Sequence, residues 1–194
     1  MKITFVRHGE TEEGDKGIYQ YDNVHLSAKG REQSKKLAER LKNEKFDCIY
    51  CSTLSRAKET AEEIIKFHKN TPIKFVDELR ELRLGIMEGK PYDTDNDLLS
   101  KDYLNFKPKG GESRLEFLGR VKEFLDSLYK KHKGHILLIA HTGISRRLNN
   151  IINNKLPDYK DRNDFQQDNC CVNIIEFENG KPRFKLLNCT KHLR

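Results

Sequence analysis

No apolar run in this sequence approaches the ~20 residues that a membrane span needs, which argues against an integral membrane protein. No Pro/Gly/Ser-rich linker, internal repeat or low-complexity tract interrupts the 194 residues, so one domain covering 1–194 is predicted. A fully paired set of cysteines is missing as well. Five is an odd number, which excludes a closed disulfide framework and predicts a reducing compartment. The apolar stretch Ile3 to Val6 is too short for the core of a signal peptide, and the expected location is cytoplasmic. Clustered charge is absent too: the net +7 arises from 37 basic residues interleaved with 30 acidic ones, the pattern of a solvated surface. That pattern predicts no nucleic-acid polymer as partner, while a basic balance still favours small anionic substrates. Nothing in the composition specifies an oligomeric state.

What is present is concentrated first in Met1 to Thr11. Ile3, Thr4, Phe5 and Val6 are β-branched or aromatic and predict a short buried strand that runs straight into Arg7-His8-Gly9-Glu10-Thr11. In open α/β sheets ligands bind at the carboxyl ends of the strands. Arg7 offers a planar fork of donors suited to phosphate, His8 can serve as base, nucleophile or metal ligand, and Gly9 lets backbone come close to a ligand. A phosphate site is the first expectation.

The polar stretch Glu12 to His25 lacks periodicity and reads as a loop able to fold over that site. Ser27 caps a helix with Ser34, Leu37, Ala38 and Leu41 at helical spacing, ending near Asn43. Phe46 to Cys51 reads as a second strand. Its Cys48-x-x-Cys51 lies where residues three apart point to opposite faces; a chelating knuckle would need a turn, so both cysteines are expected in the core and no metal site is predicted. Ser52 or Thr53 is expected to cap the next helix, with Leu54, Ala57, Ala61, Ile64 and Ile65 on one face and Arg56 in the first turn. A cation there opposes the helix dipole, so Arg56 is either an exposed surface residue or the partner of an anion.

Ile73 to Val76 predicts a third strand, and its exit, Glu78 to Gly89, carries carboxylates, one of which could face the site. Pro91 to Pro108 reads as an insertion with weak helical character around Leu98 to Tyr103, and part of Gly89 to Gly111 is expected to act as a lid that selects the substrate. Ser113 and Glu116 form a capping box ahead of a core-packing stripe of Leu118, Val121, Leu125 and Leu128. His135 to Ala140 is the most apolar stretch, short enough to be a strand covered on both faces, and it delivers His141 to a helix that starts at Thr142-Gly143, with Ile144, Leu148, Ile151 and Ile152 inward. Cys171 to Phe177 and Phe184 to Leu187 read as a hairpin around Asn179-Gly180. Strands alternating with helices predict an α/β fold: a three-layer, doubly wound, mostly parallel sheet with helices on both faces. Its strand ends would bring together two histidines, two arginines and a carboxylate, a set able to hold and attack a tetrahedral dianion. The arginines would also keep His8 neutral, with a lone pair available.

Six segments in order carry a family resemblance: Arg7-His8-Gly9-Glu10-Thr11; Leu26-Ser27 with Gly30 and Gln33; Ser52-x-Leu54-x-Arg56-Ala57-x-x-Thr60-Ala61; Leu79-Arg80-Glu81 with Gly85 and Glu88-Gly89; Gly111-Glu112-Ser113 with Phe117, Arg120 and Val121; and Ala140-His141-Thr142-Gly143 with Arg146. In these the chain resembles the histidine phosphatase superfamily, whose fold is that of the cofactor-dependent phosphoglycerate mutases. The resemblance implies a reaction without metal or cofactor on a small phosphorylated metabolite. His8 would become a phosphohistidine, Arg7, Arg56, His141 and the Thr142 N–H would bind the phosphoryl oxygens, and Glu81 would act as acid and base. Glu88 is the rival acid, ranked lower because the family's acid follows Leu-x at the strand exit.

Within the family the chain is most similar to α-ribazole phosphatases of cobalamin assembly, through its length, the Gly-Glu-Ser segment and the ending Leu187 to Leu193. Mutases are usually longer, which favours hydrolysis; broad-specificity and sugar-phosphate hydrolysis are the alternatives. Three departures bear on substrate choice and rate: Gly14 where relatives carry Asn, Thr142 where Gly is common, and His25 where Pro is common. Two other classes compete. A non-catalytic phosphate-binding relative would usually lack one of the five site residues, and a zinc deaminase would carry Pro where Asp47 precedes Cys48. His192 could reach the site but, with no partner in view, reads as a surface or packing residue, and His68, His132 and His135 read as helix-end or strand-start residues with no constellation around them.

Overall fold

The computed structural model describes residues 1–14, 16–91, 102–158 and 165–194. Among these residues the strands and α-helices follow one another as β1 (Lys2–Arg7), α1 (Ala28–Leu41), β2 (Cys48–Ser52), α2 (Ser55–Ile65), β3 (Ile73–Val76), α3 (Arg114–Lys131), β4 (His135–Ala140), α4 (Thr142–Ile152), β5 (Val172–Glu178) and β6 (Lys181–Cys189). The strands form one sheet in the order β3-β2-β4-β1-β5-β6. β1 to β4 are parallel, whereas β5 runs antiparallel to β1 and pairs with β6 as the expected hairpin. Asn179 and Gly180 both have positive φ, as a tight type I′ connection demands, which is why Asn-Gly stands there.

Helices cover both faces. On one, Leu37 and Leu41 of α1 and Ala57, Ala61 and Ile64 of α2 meet Val6, Ile49, Cys51, Leu137 and Ile139. On the other, Phe117, Val121, Leu125 and Leu128 of α3 and Ile144 and Leu148 of α4 meet Ile3, Phe5, Cys48, Tyr50, Ile136 and Leu138. Cys48 and Cys51 thus enter separate cores on opposite faces, as strand geometry requires. β4 is central and buried throughout its apolar length, and each such Leu or Ile contributes about 2 kcal/mol of transfer free energy.

Several expectations change. Leu54, not Ser52 or Thr53, is the N-cap residue of α2, and it supplies no side-chain cap, because β2 continues through Ser52. The buried stripe of α3 starts at Phe117, while Leu118 is half-buried; residues 117, 121, 125 and 128 keep the i, i+4, i+8, i+11 face. Ile151 and Ile152 reach the core only partly. Most of the weak helix expected at Leu98 to Tyr103, residues 98–101, and much of the predicted lid lie outside the described residues; Asp102 to Asn105 forms a bend and turn. The four peripheral histidines do pack: His132 on the Tyr50 hydroxyl, His135 on that of Thr4, His192 on the Cys170 carbonyl and His68 against Phe46.

Gly9 serves packing. A Cβ on it would lie 2.5 Å from the Gly30 carbonyl oxygen, and one on Gly30 would lie 1.9 Å from that of Glu10, so the β1 exit rests directly on the backbone of α1. Backbone cannot yield as a side-chain tip can. Gly30→Ala is therefore expected to destabilise the fold by about 2 to 3 kcal/mol, read as a lower urea midpoint at unchanged slope.

Candidate active site

The chain leaving β1 turns to α1 on one face, whereas the chain leaving β4 enters α4 on the other, and that divergence opens a crevice at their carboxyl ends. A cavity of about 560 Å³ fills it, with Arg7, His8, Arg56, Glu81, Glu88 and Thr142 in its wall. The loop after Thr11 closes one side: Tyr19, Gln20 and Asp22 line the cavity, and Tyr19 exchanges backbone hydrogen bonds with Gly89 and Lys90.

His8 is 5 % exposed. Its Nδ1 lies 2.7 Å from the Gly9 carbonyl oxygen, and because a carbonyl only accepts, Nδ1 carries the proton and Nε2 keeps the lone pair. Its backbone is fixed on both sides, donating to the Ala140 carbonyl and accepting from Asn169 Nδ2 and the Cys170 N–H. Burial, followed by the Arg56 and Arg7 cations, holds the imidazole well below its ordinary pKa of 6.5. The arginines thus have the expected sign, and desolvation exceeds them.

Arg56, 3 % exposed, is no surface residue. It donates through Nη1 to the Tyr21 carbonyl at 3.0 Å, and its buried Nε has no partner among the described residues. Burial pulls its pKa down to about 10 against the opposing pull of Glu81 and Asp22. A desolvated guanidinium in a cavity wall is the arrangement an anion would relieve. Arg7 projects from the end of β1, and its Nη1 donates to the Gln167 carbonyl.

His141, 1 % exposed, packs its ring against that of His8, centroids 5.0 Å apart, and its buried Nδ1 has no partner among the described residues. Its Nε2 is 2.8 Å from Ser52 Oγ, which also accepts from the Leu54 N–H, so the serine expected to cap α2 instead orients a histidine. Burial and Arg56 lower the pKa of this ring well below 6.5 as well. Thr142 does line the cavity, and its buried Oγ1 has no partner among the described residues. Glu81 accepts from the Leu82 N–H at 2.9 Å and, across the fold, from the Gly143 N–H at 2.8 Å. A Cβ on Gly143 would fall 1.8 Å from Glu81 Oε1, so any larger residue there would push the carboxylate away from the start of α4. Glu88 lines the cavity too, its pKa raised by burial and by Asp22.

Sequence reasoning missed Gln166, Gln167 and Asn169, which reach the cavity because antiparallel β5 starts at the end where β1 finishes. It gave no role to Arg83, Arg114, Arg146 or Arg147, also in the wall; Arg114 stacks over Tyr103 at 4.1 Å. Among the described residues no group of three or more His, Cys, Asp or Glu is arranged to hold a metal ion. The arrangement can bind a tetrahedral anion between two cations and present a neutral imidazole to it. Because His8 and His141 take up protons less readily folded than unfolded, their contribution to stability is complete above about pH 6.5 and is lost as the pH falls toward their folded values. Below pH 6.5 the urea midpoint of the wild type is expected to fall more steeply than that of His8→Asn.

Comparison with known proteins identifies the family. Residues 3–190 match the description "Histidine phosphatase superfamily (branch 1)". The adenosylcobalamin/alpha-ribazole phosphatase of Escherichia coli K12 is 30 % identical over 156 residues, 74 % of this chain and 75 % of that protein. Phosphoserine phosphatase 1 of Hydrogenobacter thermophilus is 30 % identical over 100 % of this chain and 94 % of its own. The crystal structure of the alpha-ribazole phosphatase from Shigella flexneri superposes with a TM-score of 0.81 at 27 % identity, covering 97 % of this chain and 96 % of that one. By the family description that spans residues 3–190 and the phosphatases to which it is 30 % identical, the chain belongs to the histidine phosphatase superfamily and is a phosphatase.

Proposed function

We propose that residues 1–194 act as one domain that hydrolyses phosphomonoesters through a phosphohistidine at His8, with α-ribazole 5'-phosphate as the substrate in a cytoplasmic route to cobalamin. The observation that carries the reaction is the buried His8 ring, its Nδ1 proton held by the Gly9 carbonyl and its flanks taken by Arg7 and Arg56. Nε2 attacks phosphorus as the P–O bond to the leaving group breaks, and Glu81 gives that oxygen a proton. Glu81 then takes a proton from the water that attacks the phosphohistidine, and His8 is restored. Arg7, Arg56, His141 and the Thr142 N–H hold the three phosphoryl oxygens. Each ionic hydrogen bond contributes roughly 1.5 to 3 kcal/mol, and those that tighten in the transition state lower the barrier.

The ending Leu187 to Leu193, the Gly-Glu-Ser segment and the alpha-ribazole phosphatase relatives support the substrate. A second reading, a carboxylate-bearing ester such as phosphoserine, is favoured by the arginines Arg83, Arg114 and Arg147 in the same wall and by the phosphoserine phosphatase that spans the whole chain. In both readings turnover should persist in EDTA, and His8→Ala should lower kcat on p-nitrophenyl phosphate on the order of 10³-fold or more and abolish the acid-labile phosphoenzyme trapped by rapid quench. A kcat/KM ranking headed by α-ribazole 5'-phosphate supports the first substrate; one headed by phosphoserine supports the second.

A further inference from the structure

Glu81 stands on a segment with little regular structure. One turn of 3-10 helix, Asp77–Leu79, follows β3, and the chain is then irregular up to Gly85. A carboxylate that must meet one oxygen of a substrate has to be held from outside when neither a ladder nor a helix holds its backbone. Arg120 of α3 does this. Its Nη1 donates to the carbonyl oxygens of Asp77, Glu78 and Arg80 at 3.3, 2.8 and 3.1 Å, and its Nη2 to that of Glu81 at 3.4 Å. Nη2 and Nε also grip the Glu112 carboxylate, Nε to Oε2 at 3.1 Å.

Glu112 completes the clamp from the far side. Its Oε1 accepts from the Arg83 N–H at 3.0 Å, and its own N–H donates to the Arg83 carbonyl at 2.9 Å, so the chain is fixed before and after Glu81. The pair is largely buried, with side chains 14 % and 9 % exposed, and neither residue lines the cavity. Burying an ion pair gives little net stability against an apolar alternative, so its use lies in what it holds in place.

We infer that Arg120 and Glu112 are positioning residues that aim the Glu81 carboxylate at the leaving oxygen. This rests on the reading of Glu81 as the proton donor, and leaving-group dependence tests the two separately. p-Nitrophenolate departs without a proton, whereas an alkoxide needs one. The quantity to measure is kcat/KM, which covers only the steps through phosphoenzyme formation, for p-nitrophenyl phosphate and for glycerol 2-phosphate. Glu81→Gln is expected to lower it by about 10²-fold or more on the alkyl ester and by less than about tenfold on the aryl ester. Arg120→Lys keeps a cation beside Glu112 but loses the planar fork. It should lower the alkyl value by about tenfold or more and the aryl value by less than about threefold, with an unfolding midpoint near that of the wild type. If Arg120→Lys does not fold, Glu112→Gln is judged by the same ratio. Equal losses on both esters, or none, in a folded clamp variant while Glu81→Gln discriminates would overturn the clamp and leave the acid standing. Failure of Glu81→Gln to discriminate would overturn the acid and the clamp with it.

Discussion

The parallel pairing of β1 with β4, Arg7 opposite Ala140, is the constraint on which the rest of the site depends. It puts the residues that follow, His8 and His141, in one crevice and ties the His8 N–H to the Ala140 carbonyl. Side chains alternate across a sheet, so a slip of one residue in either strand would send one of these rings to the opposite face. The register is secured by apolar residues on both faces of both strands, with Ile3 and Phe5 in one core, Val6 in the other, and Ile136 to Ala140 buried throughout. Antiparallel β5 then borders β1 and brings Gln167 and Asn169 to the same end, where they hold Arg7 and the His8 carbonyl.

Once that crevice exists, its electrostatics follow from burial. A guanidinium and two imidazoles are removed from water together, and burial with the neighbouring arginine charge pushes both rings toward the neutral form. Hydrogen bonds settle which nitrogen of His8 keeps its lone pair. Glu81 and Asp22 offset part of the cost of burying Arg56, so the carboxylate proposed to move the proton also helps to hold the cation in place. The helix that begins at Thr142 has no side-chain cap of its own, and Glu81 supplies the acceptor for its Gly143 N–H from across the fold.

Local rules were legible wherever a residue's role is settled by its near neighbours in the chain. Ser27 accepts from the Gly30 N–H, and Ser113 and Glu116 form the reciprocal capping box, as their spacing predicts. The strands, the hairpin turn and the alternation that sends Cys48 and Cys51 to opposite faces were equally readable. Misreadings fell where a distant group competes for the same atom. Ser52 has the chemistry of a helix cap, yet its hydroxyl belongs to His141, 89 residues away. Gly9, expected where backbone nears a ligand, meets α1 on the side that a Cβ would fill.

The sequence by itself determined the chemistry available: strand ends carrying Arg7-His8 and His141, a helix start carrying Arg56, a carboxylate-bearing exit after β3, and the order of motifs that marks the family. These are properties of short segments, whose periodicity and residue types act over a few residues. Only the tertiary structure decided that His141 packs against His8 with its Nε2 on Ser52, that Arg56 is buried, that Gln167 and Asn169 reach the site, and that Arg120 grips the segment bearing Glu81. Each of these depends on which strands become neighbours and on which face each crossover takes. Those choices are made by burying two apolar faces of one sheet at once, a condition on the whole chain that no local stretch contains.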